Sequence, residues 1–256
     1  MSDAAARGDP LLCVERVSKA FDGVDAVDDV SFAVAPGEIL ALIGPNGAGK
    51  STCFNMINGQ LVPDRGSILL AGERIDGLPP RSIARRRVSR TFQTAATFAS
   101  MSVRENVQVA LLAHAGKQWN MRARADRQFG AQADALLARF SIGALAQRMC
   151  GTLAYGDLKR VEIAIAFATT PRLLLMDEPT AGTAPAERSS LMRDVVAAVR
   201  AQRIATVFTE HDVDVVFAHA DRVIVLDRGR IIAEGPPAAI RADKRVQQVY
   251  LGIEEC

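Results

Sequence analysis

The stretch that decides the fold is Ile39-Leu-Ala-Leu-Ile43, followed directly by Gly44-Pro-Asn-Gly-Ala-Gly-Lys50-Ser51-Thr52. A short apolar run that stops abruptly is typical of a strand buried on both faces of a parallel sheet. The residues after it match the pattern G-x-x-x-x-G-K-[ST], and Lys50–Asn58 has helical character. A strand, a glycine-rich loop and a helix in this order predict an α/β fold with a P-loop (RecA-like) core.

Each residue type in the glycine-rich loop suits the binding of phosphate groups. Its glycines let the backbone turn tightly, so that successive N–H groups and the positive end of the helix dipole can hold phosphate groups. Lys50 would place a positive charge at the β- and γ-phosphates, and the Ser51 hydroxyl would bind Mg²⁺. The candidate nucleotide-binding residues here are Gly44, Pro45, Asn46, Gly47, Ala48, Gly49, Lys50, Ser51 and Thr52.

A second motif, Leu173-Leu-Leu-Met-Asp177-Glu178-Pro179, ends another apolar run with two carboxylates. We expect Asp177 to hold Mg²⁺ through a water, and Glu178 to orient and deprotonate the attacking water. Taken alone, two acids at the end of a strand could simply lie at the surface. Beside a phosphate loop the catalytic interpretation is favoured, and the two motifs together predict a nucleotide hydrolase.

Composition narrows the class of protein. The 256 residues contain 31 Lys and Arg against 29 Asp and Glu, and this net charge of +2 argues against a dedicated nucleic-acid binder. The four cysteines lie far apart, so we expect reduced thiols in a cytosolic protein. We expect no signal peptide at the N-terminus, and no apolar run approaches the ~18 residues that span a bilayer.

The remaining pattern predicts how the chain is organised. The β-rich runs Leu11–Val17 and Val30–Val34 predict a small antiparallel portion near the N-terminus. Strand signals disappear from about Thr94 to Gly151, where Ala, Leu and Arg dominate. We therefore expect residues 8–93 and 152–256 to form the ATPase core and residues 94–151 to form an inserted helical subdomain.

Two further segments carry local predictions. The arginine-rich stretch Arg81–Arg90 is interpreted as the solvated face of a helix. Near the C-terminus, Val223–Leu226 and Arg230–Ala233 flank Asp227-Arg228-Gly229, which predicts a hairpin.

Further motifs connect the chain to a known family. Leu153-Ala-Tyr-Gly-Asp157, shortly before the Asp-Glu strand, resembles the signature motif of ATP-binding-cassette (ABC) ATPases. Thr91-Phe-Gln93 is similar to the Q-loop of that family, and Thr209-Glu-His-Asp212 is similar to its switch histidine. Phe21 falls where the family stacks an aromatic ring on adenine. The motifs occur in the order of the family and extend the resemblance from about Leu11 to Gly252.

The resemblance implies a role for each matching residue. Gln93 would touch the Mg²⁺ site with Ser51 and Asp177, and it would report that site to the helical subdomain. His211 would contact the γ-phosphate from behind Glu178. Two ATP molecules would join two chains head to tail, because the signature residues would bind the ATP held by the opposite chain. These residues are Leu153, Ala154, Tyr155, Gly156 and Asp157.

One branch of the family fits best. Four phrases resemble the ATP-binding subunits of bacterial branched-chain amino acid importers, namely Arg90-Thr-Phe-Gln93, Leu153-Ala-Tyr-Gly-Asp157, Thr209–Phe217 and Val249-Tyr-Leu-Gly252. The resemblance implies integral-membrane permease subunits, a second ATP-binding subunit, identical or related, and indirectly a solute-binding protein. It also implies a place at the cytoplasmic face of the inner membrane.

Three alternatives remain open at this point. The chain could serve another ABC system, such as a urea transporter or lipid-linked export. It could be an ABC ATPase of DNA repair or translation, although it has neither a long coiled-coil insertion nor a second cassette. It could also bind nucleotide without hydrolysing it, and Glu178 argues against this.

Two positions depart from the family pattern. Ala154 replaces the usual signature serine, and Ala184 stands where Asp or Asn is usual. Both changes remove polar groups near the shared interface. Because the backbone N–H groups near Tyr155 and Gly156 and the dipole of the following helix remain, we expect a tuned site and not a dead one.

Overall fold

Two sheets organise the chain, of which the computed structural model describes residues 9–91, 97–116 and 125–251. One sheet has the strand order β2-β1-β4-β5, and the other has the order β10-β9-β3-β8-β7-β6. The strands are β1 (Leu12–Phe21), β2 (Val24–Val34), β3 (Ile39–Ile43), β4 (Arg65–Leu70), β5 (Glu73–Arg74), β6 (Val88–Arg90), β7 (Leu173–Asp177), β8 (Ala205–Thr209), β9 (Arg222–Asp227) and β10 (Arg230–Gly235).

Helices cover the six-stranded sheet. They are α1 (Lys50–Ile57), α2 (Pro80–Arg85), α3 (Val103–His114), α4 (Ala125–Arg139), α5 (Tyr155–Ala168), α6 (Pro185–Gln202), α7 (Val213–His219) and α8 (Pro237–Ala242), with short helical turns at Gly143–Leu145, Cys150–Thr152, Lys244–Val246 and Gln247–Leu251. None of the helices in the described residues combines the length and the apolar character needed to cross a membrane.

The central position of β3 follows from its sequence. All five of its side chains are buried, and it pairs in parallel with β8 on one side and β9 on the other. Ile39, Ala41 and Ile43 face the core shared with α3, α5 and α6. Leu40 and Leu42 face the core shared with α1 and the antiparallel sheet. Because successive strand residues point to opposite faces, one apolar strand joins two hydrophobic cores.

The structure confirms the predicted α/β fold class with an N-terminal antiparallel portion. The strands β6, β7, β8, β3 and β9 are parallel, while β10 forms the predicted hairpin with β9. The first sheet is antiparallel throughout. Its strands β1 and β2 are longer than the sequence indicated, since both continue to the tight turn at Asp22 and Gly23.

The interpretation of Arg81–Arg90 as one helix face was wrong in its second half. Helix α2 ends at Arg85, and Val88–Arg90 forms the edge strand β6, which pairs in parallel with β7. Val88 and Ser89 are buried, while Arg85 and Arg87 are exposed. The strand was missed because its three residues, which follow a run of arginines, are too few to show an alternating pattern.

Helices α3 and α4 lie in the segment predicted to be helical. Ser102 and Glu105 form a capping box that begins α3, in which the Ser102 Oγ accepts from the Glu105 N–H at 3.2 Å and the Glu105 carboxylate accepts from the Ser102 N–H at 2.7 Å. Both helices pack against α5, and their buried side chains belong to the same core as one face of the central sheet. The division at residues 94 and 151 stays a prediction.

Candidate active site

The phosphate loop leaves the carboxyl end of β3 and passes tightly under two backbone segments. A Cβ on Gly44 would lie 2.1 Å from the Leu226 carbonyl oxygen, and one on Gly49 would lie 2.4 Å from the Ala26 carbonyl oxygen. Both glycines also have positive φ angles, +148° and +102°. The loop therefore needs glycine at these positions both for backbone conformation and for close packing.

Lys50 begins α1 and folds back over the loop. Its Nζ donates to the carbonyl oxygens of Gly44 at 2.6 Å and Pro45 at 3.0 Å. Burial lowers the pKa of the Lys50 ammonium group, while the nearby carboxylates of Glu178 and Asp177 act in the opposite direction. The cation is thus held at the mouth of the loop, close to two acids at the end of β7.

Asp177 is fixed by the strands on both sides of its own. Its Oδ1 accepts from the Thr209 hydroxyl at 2.9 Å, and its Oδ2 accepts from the Arg90 Nη2 at 3.0 Å. Thr209 ends β8 and Arg90 ends β6, the two neighbours of β7 in the sheet. Asp177 is buried, and its charge acts on the neighbouring Lys50.

Glu178 and His211 meet at the end of the same sheet. The Glu178 Oε1 lies 2.8 Å from the His211 Nε2, and the Glu178 N–H donates to the Thr209 Oγ1 at 3.1 Å. Glu178 has a φ angle of +49°, a left-handed conformation that is uncommon for a residue with a Cβ. Backbone strain of this kind concentrates at functional sites.

The segments after these two residues are locked by a buried acid and by a helix cap. Glu210 accepts from the Thr180 N–H at 2.8 Å, and burial raises the pKa of its carboxyl group. Asp212 begins α7, and its carboxylate accepts from the Asp214 and Val215 N–H groups. His211 stands between these two fixed residues, so its backbone position is set, while its side chain is half exposed.

The signature residues lie at the start of α5, beside the loop that follows Glu178. A Cβ on Gly156 would lie 2.7 Å from the Glu187 Oε2 and 3.7 Å from the Thr183 methyl group. A Cβ on Gly182 would lie 2.9 Å from the Tyr155 ring, which is 42% exposed. Within this chain the signature thus packs on the loop at Gly182 and Thr183 and on Glu187 of α6.

Both departures from the family pattern are helix N-caps. Ala154 precedes α5 and Ala184 precedes α6, and neither helix has a hydrogen bond from a side-chain cap. The first-turn N–H groups of an α-helix have no partner within the helix. The two alanines therefore leave those donors of α5 and α6 without a side-chain acceptor at the N-cap.

Two predicted residues stand apart from this cluster. Phe21 ends β1 with a 43% exposed side chain, and the Lys19 Nζ lies 5.8 Å from its ring centroid. Its strand pairs with β2, whose residues Ala26 and Val27 touch Gly49. Gln93 lies outside the described residues.

The donor set suits a magnesium ion that arrives with its nucleotide. Ser51 is exposed in the first turn of α1, directly after Lys50, and the Asp177 carboxylate is close enough to Lys50 to act on its pKa. No group of three or more His, Cys, Asp or Glu side chains able to hold a metal is present in the part of the chain that the structure describes. A hydroxyl and a carboxylate fit Mg²⁺, which keeps several waters and takes its other oxygens from phosphates.

Sequence reasoning missed the contribution of Arg90, and it quoted Thr209 only as part of the histidine motif. Both side chains hold Asp177, and neither role is visible in the motif patterns. A signal existed for Arg90, since a charged residue that directly precedes the Thr91-Phe-Gln93 motif belongs next to the site.

Two family models match parts of this chain. Residues 27–181 match the family model described as "ABC transporter". Residues 230–255 match a second model, described as "Branched-chain amino acid ATP-binding cassette transporter". The first match contains the phosphate loop, the signature residues and the Asp-Glu pair. The second begins at β10 and continues to the C-terminal residues.

Two curated relatives resemble the chain over nearly its whole length. The high-affinity branched-chain amino acid transport ATP-binding protein BraF of Pseudomonas aeruginosa is 38% identical over 251 residues, which are 95% of this chain and 98% of that protein. The lipopolysaccharide export system ATP-binding protein LptB of Escherichia coli is 35% identical over 241 residues, which are 94% of this chain and 97% of that protein.

A solved structure shows the same architecture. A nucleotide-free ATP-binding cassette from an ABC transporter superposes with a TM-score of 0.84 at 31% identity. The match covers 96% of this chain and 100% of that chain.

Proposed function

This chain belongs to the ABC transporter family of ATP-binding proteins and is an ABC-type ATPase, and from this premise we propose that it energises a membrane importer of branched-chain amino acids or related small polar solutes. The observation that carries the cargo class is the match of residues 230–255 to the branched-chain amino acid model. BraF, similar over 95% of this chain, supports the same class.

The charged residues around the phosphate loop have separate roles in hydrolysis. The loop amides and Lys50 hold the β- and γ-phosphates, because the Lys50 Nζ can exchange the Gly44 and Pro45 carbonyls for phosphate oxygens. Phe21 stacks on the adenine. Ser51, Asp177 and Gln93 would hold Mg²⁺, which neutralises charge on the phosphates when it is bound.

Glu178 is the general base in this proposal. Its carboxylate takes a proton from the attacking water, and its contact with the His211 Nε2 at 2.8 Å fixes the direction in which it points. His211 also contacts the γ-phosphate. Because the imidazole joins the base to the phosphate, its position depends on whether nucleotide is bound.

The second chain completes the site. The signature residues of one chain bind the ATP held by the loop of the other, through N–H groups at the start of α5 and the positive end of the α5 dipole. Two ATP molecules then stabilise a head-to-tail dimer by mass action, and hydrolysis releases it. The partner subunit is a second copy or a related chain.

The other partners follow from the same premise. Integral-membrane permease subunits hold the ATPase at the cytoplasmic face of the inner membrane, and a solute-binding protein delivers the cargo to them. The cargo does not contact the ATPase in this arrangement. Its identity is therefore decided by the partners and not by a pocket of this chain.

Co-purification and reconstitution test the proposal. The chain is captured from detergent-solubilised membranes, and the co-purifying permeases are identified by mass spectrometry. The complex is then placed in proteoliposomes with the solute-binding protein and leucine. We expect leucine-dependent ATP hydrolysis that Glu178→Gln removes. Two outcomes would reject the cargo assignment. One is an ATP hydrolysis rate that does not change with leucine, valine or isoleucine, and the other is co-purification of permeases of another transporter class.

A second candidate is a subunit of a lipid-linked export system, favoured by the 35% identity with LptB. The same capture experiment separates the two, because an exporter would bring its own permeases and require no solute-binding protein. The branched-chain model matches the C-terminal residues, and we therefore place this candidate second.

A further inference from the structure

We propose that Arg90 is a positioning residue that holds the Asp177 carboxylate in place for Mg²⁺ and ties it to the helix carrying the phosphate loop. This proposal rests on the ATPase function above and extends it to a residue outside the assigned motifs. It is carried by four contacts of one guanidinium group.

The first contact is with Asp177. The Arg90 Nη2 donates to the Asp177 Oδ2 at 3.0 Å, while the Thr209 hydroxyl occupies the Oδ1 at 2.9 Å. Each oxygen is thus held by a different neighbouring strand. Without Arg90, only the hydrogen bond from Thr209 to one oxygen would remain. The carboxylate could then turn about that bond and would no longer have one preferred plane.

The other contacts are with α1 and the residues after it. The Arg90 Nη1 donates to the Asn55 Oδ1 at 2.6 Å and to the Gln60 Oε1 at 3.1 Å, and the guanidinium carbon lies 5.8 Å from the Phe54 ring centroid. Lys50 and Ser51 begin that same helix. Arg90 therefore connects the Asp177 carboxylate to the element that presents the phosphate-binding lysine and the Mg²⁺-binding hydroxyl.

Burial makes this contact strong and directional. The side chains of Arg90 and Asp177 are only 10% and 12% exposed, so water screens their attraction much less than it screens a surface pair. A guanidinium group presents its donors in a rigid plane, which lets one residue hold a carboxylate and an amide at fixed angles. A lysine would keep the charge and lose this geometry.

Arg90 also borders a cavity. It lines a cavity of about 280 Å³ together with Ile83, Val88 and Ile165. Lys159 and Glu162 form a second buried pair in α5, at 3.2 Å, and Glu162 lines the same cavity. Arg90 thus contacts Asp177 and also lines this cavity.

The test compares Arg90→Gln, Arg90→Lys and Asn55→Ala with a control, Arg85→Gln. Arg85 is exposed at the end of α2, in the same arginine-rich stretch. Binding of a fluorescent ATP analogue to the full chain is titrated in EDTA and then against Mg²⁺ concentration. Thermal melting checks the fold of every variant.

We expect Arg90→Gln to raise the Mg²⁺ concentration at which the change in nucleotide binding is half-maximal. The increase should be about 10- to 100-fold, as for loss of other residues that orient a metal ligand. Binding in EDTA should stay within about 2-fold, because Lys50 and the loop amides hold the phosphates without the metal. Arg90→Lys and Asn55→Ala should give smaller shifts in the same direction, and the control should give none.

A purely structural ion pair predicts a different result. Loss of such a pair would weaken nucleotide binding equally with and without Mg²⁺, and that outcome in a folded variant would overturn the proposal. An unchanged Mg²⁺ requirement would overturn it as well. If Arg90→Gln does not fold, Arg90→Lys decides. Failure of the reconstituted complex of the unsubstituted chain to hydrolyse Mg·ATP would reject the proposed function itself, and the Mg²⁺ titration of nucleotide binding would still test Arg90.

Discussion

The phosphate-loop region and the signature region of this chain are built in opposite ways. Around the loop, Lys50, Asp177 and Glu178 are each held by hydrogen bonds from their own chain. At the signature, α5 and α6 both begin at alanines without a side-chain cap, and the Tyr155 ring is 42% exposed. The first region is preorganised by one chain. The second offers backbone donors outward, as half of a site that another chain completes.

The largest effect should come from the cation of the first region. Lys50→Ala removes the main positive charge at the phosphates, and we expect ATP binding to be lost or nearly so. Titration of a fluorescent ATP analogue measures this, with Arg85→Gln as the control. Near-normal affinity in the folded variant would show that the loop amides suffice and that Lys50 is not part of the binding site.

The next effect separates binding from chemistry within that region. Glu178→Gln keeps the size of the side chain but replaces the carboxylate by an amide that accepts a proton poorly. We expect ATP affinity to persist while the hydrolysis rate falls by about 10²- to 10⁴-fold, the usual contribution of a general base. Single-turnover measurements on the reconstituted complex check this, and an unchanged rate would remove Glu178 from its role.

A charge at the second region should act on the ATP of the other chain. Gly156→Asp would place a carboxylate against the triphosphate, and such like-charge contacts cost several kcal/mol, which is about 100-fold or more in rate. Within its own chain the new Cβ meets the end of the flexible Glu187 side chain, so the fold should survive. Normal ATPase activity in the reconstituted complex would mean that residues 153–157 never meet nucleotide.

The smallest effect concerns the missing cap of the same helix. Ala154→Ser supplies an N-cap to α5 and should raise the free energy of unfolding by about 1 kcal/mol. A serine hydroxyl could also reach the γ-phosphate, so we expect ATPase activity to stay equal or rise modestly. Urea denaturation compares it with Ala197→Ser, an exposed interior position of α6 where serine caps nothing. Equal or lower stability would contradict the role of an uncapped helix end.

The sequence was most informative where one physical demand dominates. The bounds of β3 were predicted without error, because a strand buried on both faces has to be apolar throughout. The phosphate loop and the Asp-Glu pair were predicted from the residue types that phosphate and Mg²⁺ binding would require, whereas the signature was predicted from its resemblance to the ABC family. The roles of these residues stay predictions. The hairpin of β9 and β10 followed from its turn residues Asp227-Arg228-Gly229.

Features that depend on distant contacts could not be predicted. Strand β6 carries too few residues to show a period, and its arginine finds its partner Asp177 87 positions away in the sequence. The positive φ of Glu178 depends on hydrogen bonds to Thr209 in the neighbouring strand. The N-cap positions of Ala154 and Ala184 became clear only once the helix starts were known, because neither residue is a capping type.

Light scattering tests the division between the two regions most directly. The Glu178→Gln chain, which should bind ATP without hydrolysing it, is measured with and without Mg·ATP, and again after Gly156→Asp is added to the same chain. We predict a monomer without nucleotide, a dimer with ATP, and a return to monomer in the doubly substituted chain. A dimer in nucleotide-free buffer, or equal ATP-dependent dimerisation after Gly156→Asp, would contradict the claim that the signature completes the site of a second chain.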